Sequence, residues 1–144
     1  TAPTGEDAAR VEWMTMAALL PQADAVIALV PLSPATANLF DAACFAQMKR
    51  GALFINVSRG GLVDNAALLD ALDAGQLDAA ALDVIAGEPD PPATVTQHPR
   101  VIATPHIAFS SPDAIQELRE RTVDKVLRAL RGEPARVLVA PPAA

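Results

Sequence analysis

Four short apolar runs punctuate the chain. They are Asp24 to Val30 (DAVIALV), Gly51 to Ser58 (GALFINVS), Leu77 to Val84 (LDAAALDV) and Arg100 to Thr104 (RVIAT). None alternates strictly between polar and apolar residues. Near-continuous apolarity over so few positions predicts strands covered on both faces, the pattern of a parallel sheet. A short buried helix would read the same way, so the intervening segments decide, and these carry helical signals. Thr15 can cap MAALLPQ, and Asp41 can cap AACFAQMKR, with Lys49 and Arg50 at its negative end. Asp64 or Asn65 can open AALLDALDAG, which stops at Gly75. The last helix is the longest. It opens at Ser110 or Ser111, carries Pro112 in its first turn and ends at Gly132. Its stripe of Ile115, Leu118, Val123, Val126, Leu127 and Leu130 has helical spacing. Glu117 with Arg121, and Asp124 with Arg128, are acid-first pairs four apart that read as a solvated face. Strands alternating with helices predict an α/β fold with crossover connections on a parallel sheet. The tail from Ala140 to Ala144 (APPAA) is a poor core former and is expected to fray.

Composition narrows the function classes. The 144 residues include 51% hydrophobic and 19% charged side chains, enough apolar content for one domain with a core. Eleven basic against 17 acidic residues give a net charge of −6, which argues against a nucleic-acid footprint and against docking on anionic lipid. Aromatics, at 3%, are too few for a base-stacking surface. Cys44 is the single cysteine, so an intramolecular disulfide and a thiolate zinc cluster are both excluded, and a reducing, cytoplasmic setting is expected. No apolar run approaches the roughly 20 residues of a membrane helix. Thr1 to Arg10 lacks the basic-then-apolar order of a signal peptide, and the missing initiator Met suggests a piece of a longer chain.

Ligands of open α/β sheets bind beyond the carboxyl ends of the strands. The four runs are followed there by Pro31 to Thr36 (PLSPAT), Ser58 to Gly61 (SRGG), Ile85 to Pro89 (IAGEP) and Pro105 to Ser111 (PHIAFSS). Parallel strands would therefore bring Arg59, Asp83, Glu88 and His106 to one edge. Histidine can give or take a proton near neutral pH, and a carboxylate such as Glu88 would fix its tautomer and favour the proton-loaded form. Arg59 offers a planar fork for a carboxylate, beside glycines that permit close backbone approach. Asp83 closes an apolar run and would need partners if buried. Such a set suits a small 2-oxo or 2-hydroxy acid, with a hydride carrier if the reaction is redox. Each residue also has a plain reading, as a surface charge, a turn residue or a strand-end histidine. His98, in TQHPR, reads as solvated. Neither Ser58 nor Cys44 has the flanking motif of a nucleophile, and the chain holds no Gly-rich dinucleotide turn or Walker-type loop.

INVSRGGLVDNAALLDAL, AALDVIAGEP and VIATPHIAFSS resemble, in order, the signature segments of the D-isomer-specific 2-hydroxyacid dehydrogenases. The run ADAVIALVPLSPATANLFDAACFAQMKRGALFINVSRGG resembles them in unbroken register, and the likeness covers about residues 15–135. The resemblance implies the second half of a Rossmann-type doubly wound parallel sheet over residues 1–110. Residues 111–144 would be a crossover helix and a tail, with Ala135 to Val139 (ARVLV) returning toward a substrate domain absent from this chain. It implies catalytic roles for Arg59, Glu88 and His106. It implies cofactor contacts from Val30, Pro31, Val57, Ser58, Arg59, Asp83, His106 and Ala108. The implied cofactor is NAD, with NADP left open because the residue that decides between them would lie upstream. The implied partners are a small 2-hydroxy or 2-oxo acid and a second copy in a homodimer, with no metal. Half of such a sheet would leave an apolar edge and face uncovered, and would bind NAD poorly by itself. Two other readings are a dinucleotide-sensing module of the C-terminal-binding-protein corepressor type and an inactive remnant.

Overall fold

A computed structural model of the chain describes residues 11–134; the N-terminal decapeptide and the ARVLV and APPAA segments lie outside the described residues. Two compact units divide between Ala108 and Phe109.

The first unit is a four-stranded, all-parallel sheet in the order β1 (Ala25–Ala28), β2 (Ala52–Asn56), β3 (Leu77–Leu82), β4 (Val101–Ala103). Each strand falls inside one of the four apolar runs and is shorter than it by two or three residues. The helices are α1 (Met16–Leu19), α2 (Ala42–Gln47), α3 (Asn65–Asp73) and a short α4 (Ala93–Thr96) that the hydrophobic pattern does not announce. Caps form where the polar residues predict them. The Thr15 hydroxyl accepts from the Ala18 N–H, Asp41 from Cys44, and Asp64 from both Ala66 and Ala67. Gly75 follows α3 at φ +64°, the left-handed position that ends a helix at little cost for glycine.

Alternate residues of the strands face α2 and α3. Phe54 is fully buried there, its ring centroid 4.9 Å from Phe40 and 5.3 Å from Phe45, the latter edge-on. Leu62, Leu68, Leu72, Leu77 and Val95 are fully buried in the same core. At the start of β3 the register slips, so that Ala52 pairs with Leu77 and Leu53 with Ala79. Asp78 is the extra residue, which lets a charged side chain stand exposed within an apolar strand.

The expectation of strands covered on both faces does not hold among the described residues. Ile27, Ile55, Ala81 and Ile102 are register partners that form a row across the opposite face. Ile27 is 54% exposed and Ile102 69%. A second correction concerns α2. Met48 turns into an extended conformation, so the helix ends at Gln47 and Lys49 and Arg50 leave its axis. Lys49 pairs with Asp24 at 2.5 Å, and Arg50 donates to the Ala74 carbonyl at the end of α3.

The second unit contains α5 (Pro112–Leu130). The Ser111 hydroxyl accepts from the Ala114 N–H, and Pro112 occupies the first turn. Glu117 pairs with Arg121, and Asp124 with Arg128 at 3.0 Å. Leu118, Val123, Val126, Leu127 and Leu130 are all exposed. No helix of the described residues is long and apolar enough to cross a membrane.

Candidate active site at the strand ends

Parallel pairing puts the exits of all four strands on one edge. The β1 and β2 exits are tied together, since the Ser58 hydroxyl donates to the Val30 carbonyl at 2.6 Å. After Asn56 the chain runs through Val57 and Ser58 to Arg59, then makes a single 3-10 turn over Gly60–Leu62. A Cβ on Gly60 would lie 2.2 Å from the Ile85 carbonyl carbon and 2.4 Å from the Ala86 nitrogen. Only glycine lets the Arg59 loop rest on the backbone leading to Glu88. The close approach expected of SRGG is thus made by the protein's own chain. The Arg59 guanidinium is exposed and donates to the Ser58 carbonyl at 2.7 Å. With Leu29, Pro31, Leu32 and Ser58 it lines an open cleft of about 560 Å³. Val30 and Val57 stand exposed nearby.

Asp83, immediately after β3, is only 5% exposed, yet both of its carboxylate oxygens are partnered. One carboxylate oxygen accepts from the Thr104 hydroxyl at 2.5 Å and the Ile107 N–H at 2.9 Å, and the other from the Ala108 N–H at 2.9 Å. Burial works against its ionisation. The Thr104, Ala108 and Ile107 donors, with the His106 ring nearby, outweigh that cost and hold the carboxyl below its ordinary range. Asp83 therefore staples the loop that carries His106.

His106 itself adopts a left-handed backbone at φ +55°, a conformation that costs a non-glycine residue about 1–2 kcal/mol. Its N–H is shared between the Asp83 and Thr104 carbonyls at 2.9 and 3.0 Å, which helps to offset that cost. The twist brings Nδ1 to 2.8 Å from Glu88 Oε2. The other Glu88 oxygen accepts from the Ile85 N–H at 2.7 Å, so the carboxylate is pinned by its own turn. Partial burial again opposes its charge, but the Ile85 N–H and the His106 ring prevail, and the Glu88 carboxyl is held below its ordinary value. An ionised carboxylate only accepts, so Nδ1 carries the proton of that bond and Nε2 is left for a ligand. A cavity of about 470 Å³ opens beside the pair, bordered by Pro89, Thr96 and Pro105.

Arg59, Asp83, Glu88, His106 and Ala108 thus share the carboxyl edge of the sheet with Val30, Pro31, Val57 and Ser58. Direct contacts join Glu88 to His106 and Asp83 to Ala108, whereas Arg59 shares the edge with its guanidinium turned to its own backbone. His98 departs from its solvated reading. Its side chain is 11% exposed, Nε2 lies 3.2 Å from Asp73 and Nδ1 accepts from the Arg100 N–H. A bend of the Pro-containing loop folds it against the end of α3, far along the sequence, which spacing does not reveal. Cys44 is buried in α2, and burial, with Asp41 nearby, pushes its thiol up to about 11. Two residues of the site escape sequence reasoning. Thr104 and Asn56 both hold loop backbone or its staple, and the available signal is a lone polar side chain inside an apolar run. Among the described residues, no His, Cys, Asp and Glu cluster could hold a metal ion.

Open parallel sheets hold their ligands beyond the carboxyl ends of the strands, and the nucleotide-binding domains are one class built this way. Residues 1–108 match the NAD-binding domain of the D-isomer-specific 2-hydroxyacid dehydrogenases, and the chain belongs to that family. It is 42% identical over 125 residues to a glycerate dehydrogenase of Methylorubrum extorquens, covering 85% of this chain and 40% of that protein. A D-lactate dehydrogenase structure from Treponema pallidum superposes with a TM-score of 0.84 at 34% identity, over 96% of this chain and 47% of that one. An NADPH-dependent glyoxylate/hydroxypyruvate reductase from Sinorhizobium meliloti, solved with NADP and sulfate, gives 0.75 at 35% identity, over 86% and 40%. The chain spans less than half the length of each of these relatives.

Proposed function

We propose that this chain is the cofactor-domain portion of an NAD(P)-dependent D-2-hydroxyacid dehydrogenase acting on a small 2-oxo or 2-hydroxy acid. Residues 1–110 are its second nucleotide-binding half, and residues 111–144 lead back to a substrate domain. The observation that carries the reading is the 2.8 Å His106–Glu88 pair on the same sheet edge as Arg59.

The chain's residues suit the nicotinamide end of the cofactor. Leu29, Pro31 and Leu32 offer an apolar shelf beside Ser58. Three of about four acceptor positions of Asp83 are occupied, which leaves one for an amide donor. Val30, Val57, Arg59, His106 and Ala108 complete the surroundings. Bound NADH supplies the hydride that reduces the C2 carbonyl of a 2-oxo acid. Arg59 swings from the Ser58 carbonyl to clasp the substrate carboxylate through two parallel N–H bonds. His106 gives the proton on Nε2 to the carbonyl oxygen as the hydroxyl forms, and Glu88 holds the ring through Nδ1. In the oxidative direction Nε2 takes the hydroxyl proton. The cationic ring and guanidinium offset the negative charge growing on that oxygen.

The same reading gives a cytoplasmic protein with no nucleic-acid or membrane partner, supported by the acidic balance and by the unpaired, buried Cys44, and a homodimer by family resemblance alone. The test is NADH-dependent reduction of 2-oxo acids such as hydroxypyruvate by the protein that carries this chain. His106→Asn should lower kcat by about 10²–10⁴-fold. Arg59→Ala should raise KM and lower kcat together. A normal kcat/KM in either variant overturns the assignment.

A further inference from the structure

We infer that Asn56 is the positioning residue for Arg59, and that its side-chain amide sets where the guanidinium stands at the sheet edge. The inference rests on the role given to Arg59 above. Asn56 is the last residue of β2 and one of only two buried polar residues among those described; the other is Asp83. Its side chain is fully buried on the face that Phe54, Ala28 and Leu82 make apolar. A polar amide there costs free energy unless it is bonded. A leucine would serve the sheet as well, so the amide needs another reason.

Its bonds supply one. The side-chain oxygen accepts from the Ser58 N–H at 3.1 Å, and the side-chain nitrogen donates to the Arg59 carbonyl at 2.9 Å. The orientation is fixed by chemistry, since a backbone N–H only donates and a carbonyl only accepts. One planar group therefore grips the backbone on both sides of the Ser58–Arg59 peptide. Gly60, against Ile85 and Ala86, closes the other end of that short loop. Arg59 is left with a fixed backbone and an exposed guanidinium that rests on the Ser58 carbonyl, the arrangement a carboxylate clamp needs.

The main chain of Asn56 extends the linkage. Its carbonyl accepts from the Asp83 N–H at 3.0 Å, and the Asp83 carbonyl accepts from the His106 N–H at 2.9 Å. An uninterrupted series of bonds thus runs from the Arg59 carbonyl to the His106 amide through Asn56 and Asp83.

The test uses the protein that carries this chain. Asn56→Asp keeps the shape and the acceptor for Ser58 but sets a carboxylate oxygen against the Arg59 carbonyl. Asn56→Ser keeps one bond at most. We expect either folded variant to raise KM for the 2-oxo acid by about tenfold or more, with KM for NADH within about twofold of the parent. In an Arg59→Ala background the same substitutions should add no further loss of kcat/KM, because Asn56 acts through Arg59. Folded Asn56 variants with an unchanged 2-oxo acid KM, or full additivity with Arg59→Ala, overturn the inference while the catalytic reading stands. Failure of both variants to fold also overturns it, in favour of a purely structural amide. An Arg59→Ala variant with normal kcat/KM instead removes the reading on which the inference rests.

Discussion

Asp83→Asn isolates the staple on the His106 loop. The substitution keeps the shape and removes the charge. Asp83 accepts three hydrogen bonds, two at one oxygen and one at the other. An amide presents one oxygen and one NH₂ group. With its oxygen toward Thr104 and Ile107, the NH₂ meets the Ala108 N–H donor to donor; flipped, it meets the Ile107 N–H instead. One buried amide is unsatisfied either way, and the surviving bonds lose their charge. Bonds to a charged partner contribute about 1.5–3 kcal/mol and a buried unsatisfied donor costs about 1–3, so the loss should be about 2–4 kcal/mol. The assay is urea denaturation of parent and variant at pH 7, with amide exchange read at Ala108, which should speed up. The effect has a pH signature. The Asp83 carboxyl is depressed in the folded state, so its contribution is complete above the ordinary value of 3.8 and fades as pH falls through the lower folded value. The gap between parent and variant should therefore narrow below about pH 4. A loss under about 0.5 kcal/mol at pH 7, with exchange at Ala108 unchanged, would refute the staple.

Gly60→Ala should cost about 1–3 kcal/mol, because its methyl meets the rigid backbone of Ile85 and Ala86 rather than a yielding side chain. The same variant should raise KM for the 2-oxo acid, and steady-state kinetics on folded protein checks this. Phe54→Ala, which empties the centre of the three-ring cluster, should cost about 3–5 kcal/mol in denaturant unfolding without any selective change in substrate KM.

The parts of this molecule legible in its sequence are those set by local chemistry. Thr15, Asp41, Asp64 and Ser111 cap helices because a short polar side chain reaches amides two or three residues ahead, and Gly75 stops α3 because a left-handed residue must. Four apolar runs became four strands for the same reason. Parallel order then carries Arg59, Asp83, Glu88 and His106 to one edge without knowledge of a single distance. What stayed hidden depends on partners distant in sequence. Lys49 and Arg50 look like helix-end charges until Met48 leaves the helix. His98 looks solvated until Asp73 and the Arg100 amide enclose it. Continuous apolarity promised two covered faces, yet it cannot say which chain segment does the covering. Asn56 and Thr104 read as incidental polar residues inside apolar runs, because their partners, loop backbone for Asn56 and the Asp83 carboxylate for Thr104, stand where only the fold puts them.

The bare row of Ile27, Ile55, Ala81 and Ile102 governs how this polypeptide behaves in a test tube. Water against a flat patch of isoleucine favours stickiness, and β1 adds an unpaired rim among the described residues. Produced by itself, the chain should scatter light increasingly with protein concentration and with added ammonium sulfate, because excluded salts strengthen apolar association. A mild increase in surface charge on that row, such as Ile102→Lys, should restore clear solutions while leaving the strand-end loops untouched.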